Sequence, residues 1–121
     1  MDYNILLVDD EPTICSIMRE AIEMAGYNVY LAHDAVSATD YASQTKPDLL
    51  ITDLNLPRVN GLQLCNNLRN DYPTMDCIVM TGETTDEVKM NAYKAGIQKV
   101  LFKPFGFKEL TDAINSLYQA R

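Results

Sequence analysis

The chain is poor in cysteine, in basic residues and in long apolar runs, and each shortage excludes something. It has three cysteines, Cys15, Cys65 and Cys77, an odd number with no C-x-x-C pair. Neither a disulfide framework nor a cysteine zinc site is expected from that set, and a reducing, cytoplasmic setting is. All three fall in core-like patterns and read as buried hydrophobes. Only ten lysines and arginines stand against seventeen aspartates and glutamates, a formal net charge of -7. A surface of that sign repels phosphate backbones, so direct nucleic-acid binding is not expected. No apolar run approaches the roughly 20 residues of a membrane helix. The start, "MDYNILLVDDEP", lacks the basic region and long apolar stretch of a secretory signal. His33 is the single histidine and reads as a surface or capping residue. No repeat, low-complexity tract or linker interrupts the 121 residues, which suits one domain over 1–121.

What is present is alternation. Five short apolar runs, "NILLV" (Asn4 to Val8), "NVYLA" (Asn28 to Ala32), "LLITD" (Leu49 to Asp53), "CIVMT" (Cys77 to Thr81) and "KVLF" (Lys99 to Phe102), have the length of strands covered on both faces. Helical patterns lie between them. Pro12 suits the first turn of a helix with Ile14, Ile17, Met18, Ala21 and Ile22 on one face and Gly26 as its stop. Ala35 to Gln44 is a weaker helix ending before Pro47. Leu62, Leu64, Cys65 and Leu68 mark a third. Val88, Ala92 and Ala95 mark a fourth, stopped by Gly96. Leu110, Ala113, Ile114 and Leu117 mark a fifth, with Gly106 as its cap. Strand then helix, five times over, predicts an α/β domain with a five-stranded parallel sheet doubly wound by five helices.

In open sheets of this class, ligands bind beyond the carboxyl ends of the strands. Four runs deliver chemistry to that edge: Asp9 and Asp10, Asp53, Thr81, and Lys103. Taken singly, such residues are usually caps, turn formers or solvated charges. Together at one edge they describe a site. Three crowded carboxylates disfavour joint ionisation, and a divalent cation resolves the conflict. Mg²⁺ takes oxygen ligands and is commonly held by one or two carboxylates plus a phosphate. A carboxylate can also be a nucleophile that forms an aspartyl phosphate. Phosphoryl transfer needs its equatorial oxygens neutralised and positioned. Lys103 and the Thr81 hydroxyl suit two of those oxygens and Mg²⁺ a third. Asp53 is the best nucleophile, because it ends the central run, and Asp9 and Asp10 are the metal holders. Glu11 reads as a first-turn residue whose charge suits the helix N-terminus.

With these pieces in view, the chain resembles the receiver domains of two-component response regulators, of the chemotaxis type. The resemblance rests on "VDDEP" (Val8 to Pro12), "DLLITDLNLPRVNG" (Asp48 to Gly61), "VMTGE" (Val79 to Glu83), "AGI" (Ala95 to Ile97) and "KPFGFKEL" (Lys103 to Leu110), in order over essentially the whole chain. It implies the flavodoxin-like strand order 2-1-3-4-5. It implies that Asp53 takes a phosphoryl group from a sensor histidine kinase or histidine phosphotransfer protein. Mg²⁺ would be held by Asp9, Asp10, Asp53 and the backbone carbonyl of Asn55. Lys103 would pair with the phosphate and be joined to Pro104 by a cis bond. The domain would promote its own Mg²⁺-dependent phosphorylation and dephosphorylation without being an enzyme on another substrate. Thr81 would swing toward the phosphate and switch the face formed by the fourth helix, fifth strand and fifth helix. A downstream partner or fused effector domain would read that face, and a phosphorylation-dependent dimer belongs to the same picture.

One position departs from the pattern. Most receivers carry Tyr or Phe three residues before the lysine, and that ring turns inward as the threonine moves. Here the position is Val100. Phe102, two residues on, shares its face in a regular strand and is expected in the core. Gly82 permits close approach of a phosphate or partner, or is a plain loop glycine. Asn55 and Glu83 flank the site and are expected to tune water access. Tyr93 suits a partner contact and a solvated surface equally. An aspartyl-phosphate hydrolase of the haloacid-dehalogenase type would need an acid at Asn55. A flavodoxin-like electron carrier would need a phosphate cradle where "DDEP" repels one. A degenerate receiver, acting only as a protein-interaction module, is the alternative within the family.

Overall fold

Every apolar run forms a strand and every amphipathic stretch a helix. The computed structural model describes residues 3–121, so the first two residues of the expected 1–121 domain lie outside the described residues. The elements are β1 (Asn4–Val8), α1 (Pro12–Met24), β2 (Asn28–Ala32), α2 (Ala35–Thr45), β3 (Leu49–Asp53), α3 (Gly61–Asp71), β4 (Asp76–Thr81), α4 (Asp86–Lys94), β5 (Lys99–Phe102) and α5 (Phe107–Gln119). All strands are parallel, in the order β2-β1-β3-β4-β5. This is the doubly wound, flavodoxin-like sheet.

Side chains alternate along each strand, so the sheet has two apolar faces. On one, Ile5, Leu7, Ile51, Ile78, Met80 and Leu101 pack beneath Met18 and Ile22 of α1 and Leu110 and Ile114 of α5. On the other, Leu6, Val8, Leu50 and Cys77 pack beneath Ala38 and Ala42 of α2 and Leu64, Cys65 and Leu68 of α3. The helix starts are capped locally. Asp34, Asn60 and Thr85 accept from the backbone N–H of Ser37, Gln63 and Val88 at 2.7, 2.8 and 3.2 Å. Gly26 and Gly96 follow α1 and α4 with φ of 97° and 73°, the left-handed turn that ends a helix most cheaply at glycine. At the pole away from the strand tips, Arg121 stacks on Tyr3 and pairs with Asp48 and Asp76.

Two expectations, on the cysteines and on Glu11, need correction, and packing settles which apolar stripe of α1 is buried. Cys65 and Cys77 are buried as expected, but they are joined by a disulfide. Their separation of 12 residues carries no framework spacing, because the contact is made across layers, from α3 to β4. On α1 the buried stripe is Cys15, Met18 and Ile22, whereas Ile14 and Ile17 are 37% and 46% exposed. Both stripes obey helical spacing, and packing against the sheet selects one. Glu11 is the N-cap of α1 and not a first-turn residue; Pro12 takes the first helical position.

Candidate functional site

The parallel register brings the predicted residues to one edge. Asp9 follows β1 directly, is fully buried, and accepts through Oδ1 from the Glu11 N–H at 3.0 Å. Its Oδ2 has no hydrogen-bond partner among the described residues. Asp10 is exposed. Asp53 ends β3, is 8% exposed, and accepts through Oδ1 from the Asn55 N–H at 3.3 Å. Lys103, just past β5, donates from Nζ to Asp53 Oδ2 at 3.2 Å and lies 3.6 Å from Asp9 Oδ2. Its peptide bond to Pro104 is cis. Thr81 ends β4 and is buried, with its hydroxyl accepting from the Glu83 N–H at 3.0 Å. The Lys103 N–H donates to the Thr81 carbonyl at 2.8 Å, which fixes the lysine backbone beside β4.

The electrostatics are those of charge kept from water. Burial holds the Asp9 carboxyl above its ordinary value, against the pull of the Glu11 N–H and the Lys103 ammonium. Burial works against the Lys103 charge too, but Asp9 and Asp53 together outweigh it and raise the ammonium pKa. Cys15, under the same corner, donates its thiol to the Asp9 carbonyl at 3.3 Å, and burial pushes that thiol up to about 11. Asp9, Asp10 and Asp53 each offer an oxygen within 4.8 Å of the others. One lysine cannot neutralise three carboxylates, and the buried Asp9 Oδ2 lacks a donor. An all-oxygen set with an unsatisfied buried member fits a hard divalent cation.

The flanking residues separate into those that meet and those that do not. Asn55 Nδ2 donates to Glu83 Oε1 at 3.4 Å, so the two expected tuning residues touch across the site. Gly82 is exposed, and a Cβ there would meet nothing within 4 Å, so its own fold does not require glycine. Val100 and Phe102 are register partners of Val79 and Thr81. Phe102, on the edge strand β5, is only partly buried, contrary to the core expectation, and the Lys89 ammonium of α4 lies 5.5 Å from its ring centroid. His33 is exposed, with Nδ1 3.0 Å from the Asp9 carbonyl, and Tyr93 is 81% exposed. Gly61 was not singled out from the sequence. A Cβ there would collide with the Asp53 carbonyl, and the Gly61 N–H donates to the Leu54 carbonyl at 2.7 Å. Its signal is the Asn-Gly pair of Asn60 and Gly61, a capping residue followed by the smallest residue. Beside the acidic cluster, Ile14, Ile17, Met18, Pro104, Phe105 and Phe107 line an open apolar groove of about 480 Å³, with Lys103 shared between groove and site.

Fold and site together define an α/β domain with a charged, acid-rich centre at its strand tips. The chain belongs to the response regulator receiver domain family, which matches residues 5–115. It is 33% identical over 117 residues to the response regulator MprA of Mycobacterium bovis and of Mycobacterium tuberculosis, covering 97% of this chain and 51% of theirs. The chain thus spans about half the length of those curated relatives. Among solved structures, the chemotaxis protein CheY4 of Vibrio cholerae superposes with a TM-score of 0.89 at 27% identity, covering 95% of this chain and 98% of that one. A response regulator receiver domain protein from Clostridium thermocellum gives 0.90 at 27% identity, covering 98% and 95%. Among the described residues, no helix is long and apolar enough to cross a membrane.

Proposed function

We propose that residues 1–121 form a working receiver, in the cytoplasm, that accepts a phosphoryl group on Asp53 from a phosphohistidine of a sensor histidine kinase or histidine phosphotransfer protein. The observation that carries this is the Asp53 carboxylate, buried at a strand tip with Lys103 Nζ at 3.2 Å and two more aspartates beside it. A carboxylate oxygen of Asp53 attacks phosphorus as the bond from phosphorus to the donor imidazole breaks. Lys103 takes one phosphoryl oxygen as an ion pair. The Thr81 hydroxyl leaves the Glu83 N–H and donates to another. Asp9, Asp10, Asp53 and the Asn55 carbonyl would hold Mg²⁺, which supplies charge neutralisation at the transferring group. Asn55 and Glu83 line the approach of water to the acyl phosphate, and so set its lifetime.

The apolar groove supports the partner assignment. It runs into the site through Lys103, so a phosphohistidine protein seated on Ile14, Ile17 and Phe107 brings its imidazole to Asp53. The output is the α4-β5-α5 face. Val100 leaves no aromatic at the usual position, and Phe102 beside Thr81 carries the response instead. A partner protein, or an effector domain in the same polypeptide, reads that face, and dimerisation on phosphorylation is one form the output takes.

The test is intact mass after incubation with acetyl phosphate, with and without Mg²⁺, on the wild type and on Asp53→Asn. The expected result is a single phosphoryl gain that needs both Mg²⁺ and Asp53. A folded wild type that gains nothing would overturn the reading in favour of a degenerate receiver acting only by binding.

A further inference from the structure

Cys65 of α3 and Cys77 of β4 form a disulfide between two fully buried side chains. The bond adds to other contacts that hold α3. Leu64 and Leu68 of the same helix are buried against the sheet. Arg69, one turn beyond Cys65, donates to the Met75 and Ala95 carbonyls at 3.2 and 3.1 Å and to Gln98 Oε1 at 2.9 Å. Gln98 Oε1 in turn accepts from the Cys77 N–H at 2.7 Å. A domain with an apolar core on both faces of its sheet has no need of the covalent staples small secreted domains use. Nor does the third cysteine join in: Cys15 is buried and free. A single bond of this kind, with a third cysteine left free and an apolar core on both faces of the sheet, has the setting of a responsive bond and not of a permanent one.

We propose that Cys65 and Cys77 are a reversible thiol–disulfide pair that fastens α3 to β4 when oxidised and releases it when reduced. The oxidant is a small disulfide of the glutathione class. One cysteine thiolate attacks a sulfur of that disulfide and expels one glutathione thiolate. The second cysteine thiolate attacks the protein-bound sulfur and expels the other glutathione. Two protons pass to solvent, the cysteines lose two electrons, and the oxidant gains them. Both sulfurs are buried, so exchange proceeds through transient opening of α3 from the sheet.

The bond has mechanical reach. Cys65 lies one turn into α3, and the helix begins at Gly61, packed on the Asp53 carbonyl with no space for a Cβ. Gly61 also closes the loop from β3 through its bond to the Leu54 carbonyl. Oxidation therefore ties the helix that abuts the strand tip of β3 to the neighbouring strand β4.

The test uses the full chain and does not depend on phosphorylation. The protein is equilibrated in glutathione buffers from fully reduced to fully oxidised, quenched with acid, alkylated and weighed intact. Hydrogen exchange is followed over residues 61–71. The expected result is a loss of two alkyl adducts across the series, at the same midpoint from either direction, with slower exchange of α3 in the oxidised form. Peptide mapping of the wild type places the pair at Cys65 and Cys77, so the result stands even where Cys65→Ser folds poorly, and Cys15→Ser retains the transition. Three alkylated thiols throughout, one alkylated thiol throughout, pairing through Cys15, or α3 exchange indifferent to redox state would each overturn the proposal.

Discussion

Thr81 and Phe102 are register partners on adjacent parallel strands, so their side chains leave the same face of the sheet, and the Phe102 ring lies under Lys89 of α4. A change at the strand tip thus has a neighbour that touches α4. Phe102→Ala is expected to leave Mg²⁺-dependent phosphoryl gain at Asp53 intact while removing the phosphorylation-dependent change in hydrogen exchange over α4. Lys89→Ala is expected to cost only about 0.5–1 kcal/mol in urea denaturation, the worth of an exposed cation–π contact. A Phe102→Ala protein whose α4 still responds in full would rule the ring out as the link.

The acidic cluster predicts a metal-dependent melting temperature. Mg²⁺ at about 100 times its dissociation constant should stabilise the fold by roughly 2.7 kcal/mol. Asp9→Asn combined with Asp10→Asn should abolish that shift. The same double variant should be more stable than the metal-free wild type, because it removes a buried charge that no hydrogen bond satisfies on its Oδ2 side. Differential scanning calorimetry with and without chelator reads both effects.

Gly61 and Gly82 should respond oppositely to alanine. At Gly61 a Cβ would strike the Asp53 carbonyl, a backbone atom that cannot swing aside. Gly61→Ala is expected to cost on the order of 1–3 kcal/mol, as overpacking does, and to slow phosphoryl gain by displacing Asp53. At Gly82 nothing lies within 4 Å, so Gly82→Ala should be neutral or slightly stabilising. Urea midpoints of the two variants give the contrast.

Asp34 supplies a pH signature. The Ser37 N–H it accepts holds its carboxyl below the ordinary value of 3.8. A depressed folded-state pKa adds stability that is complete above the unfolded value and lost as pH falls through the folded one. Asp34→Ala should therefore melt lower than wild type at neutral pH, with the gap closing below about pH 3.8 as the wild type protonates. Asp34→Asn keeps the cap and should flatten the dependence. Melting curves in buffers from neutral to acid decide it.

The strands and the residues at their tips were legible because both are local. A run such as "LLITD" states its burial and its terminal carboxylate within five residues. What the chain alone does not state is contact between layers. Helical spacing permits Ile14 and Ile17 to be buried as readily as Cys15 and Met18, and only the position of α1 over the sheet decides. Cys65 and Cys77 are joined by a helix-to-strand crossing that sequence spacing does not encode. Phe102 has the pattern of a core residue, but β5 is an edge strand and Lys89 reaches over it from α4. The need for glycine at position 61 comes from how closely α3 starts beside β3, a distance set by the whole sheet.

The residues of the candidate site are divided among four strands, each contributing at its last residue or just beyond it. No fragment of the chain holds them together, and no partial sheet does either. A slip of one residue in β4 would turn Thr81 onto the face of α1 and α5, and detachment of β5 would carry Lys103 away. On the proposed function, the fraction of molecules able to take up phosphate equals the fraction natively assembled. On the same reading, copies that are damaged or still folding would take up no phosphate, so readiness to be phosphorylated would report completed folding.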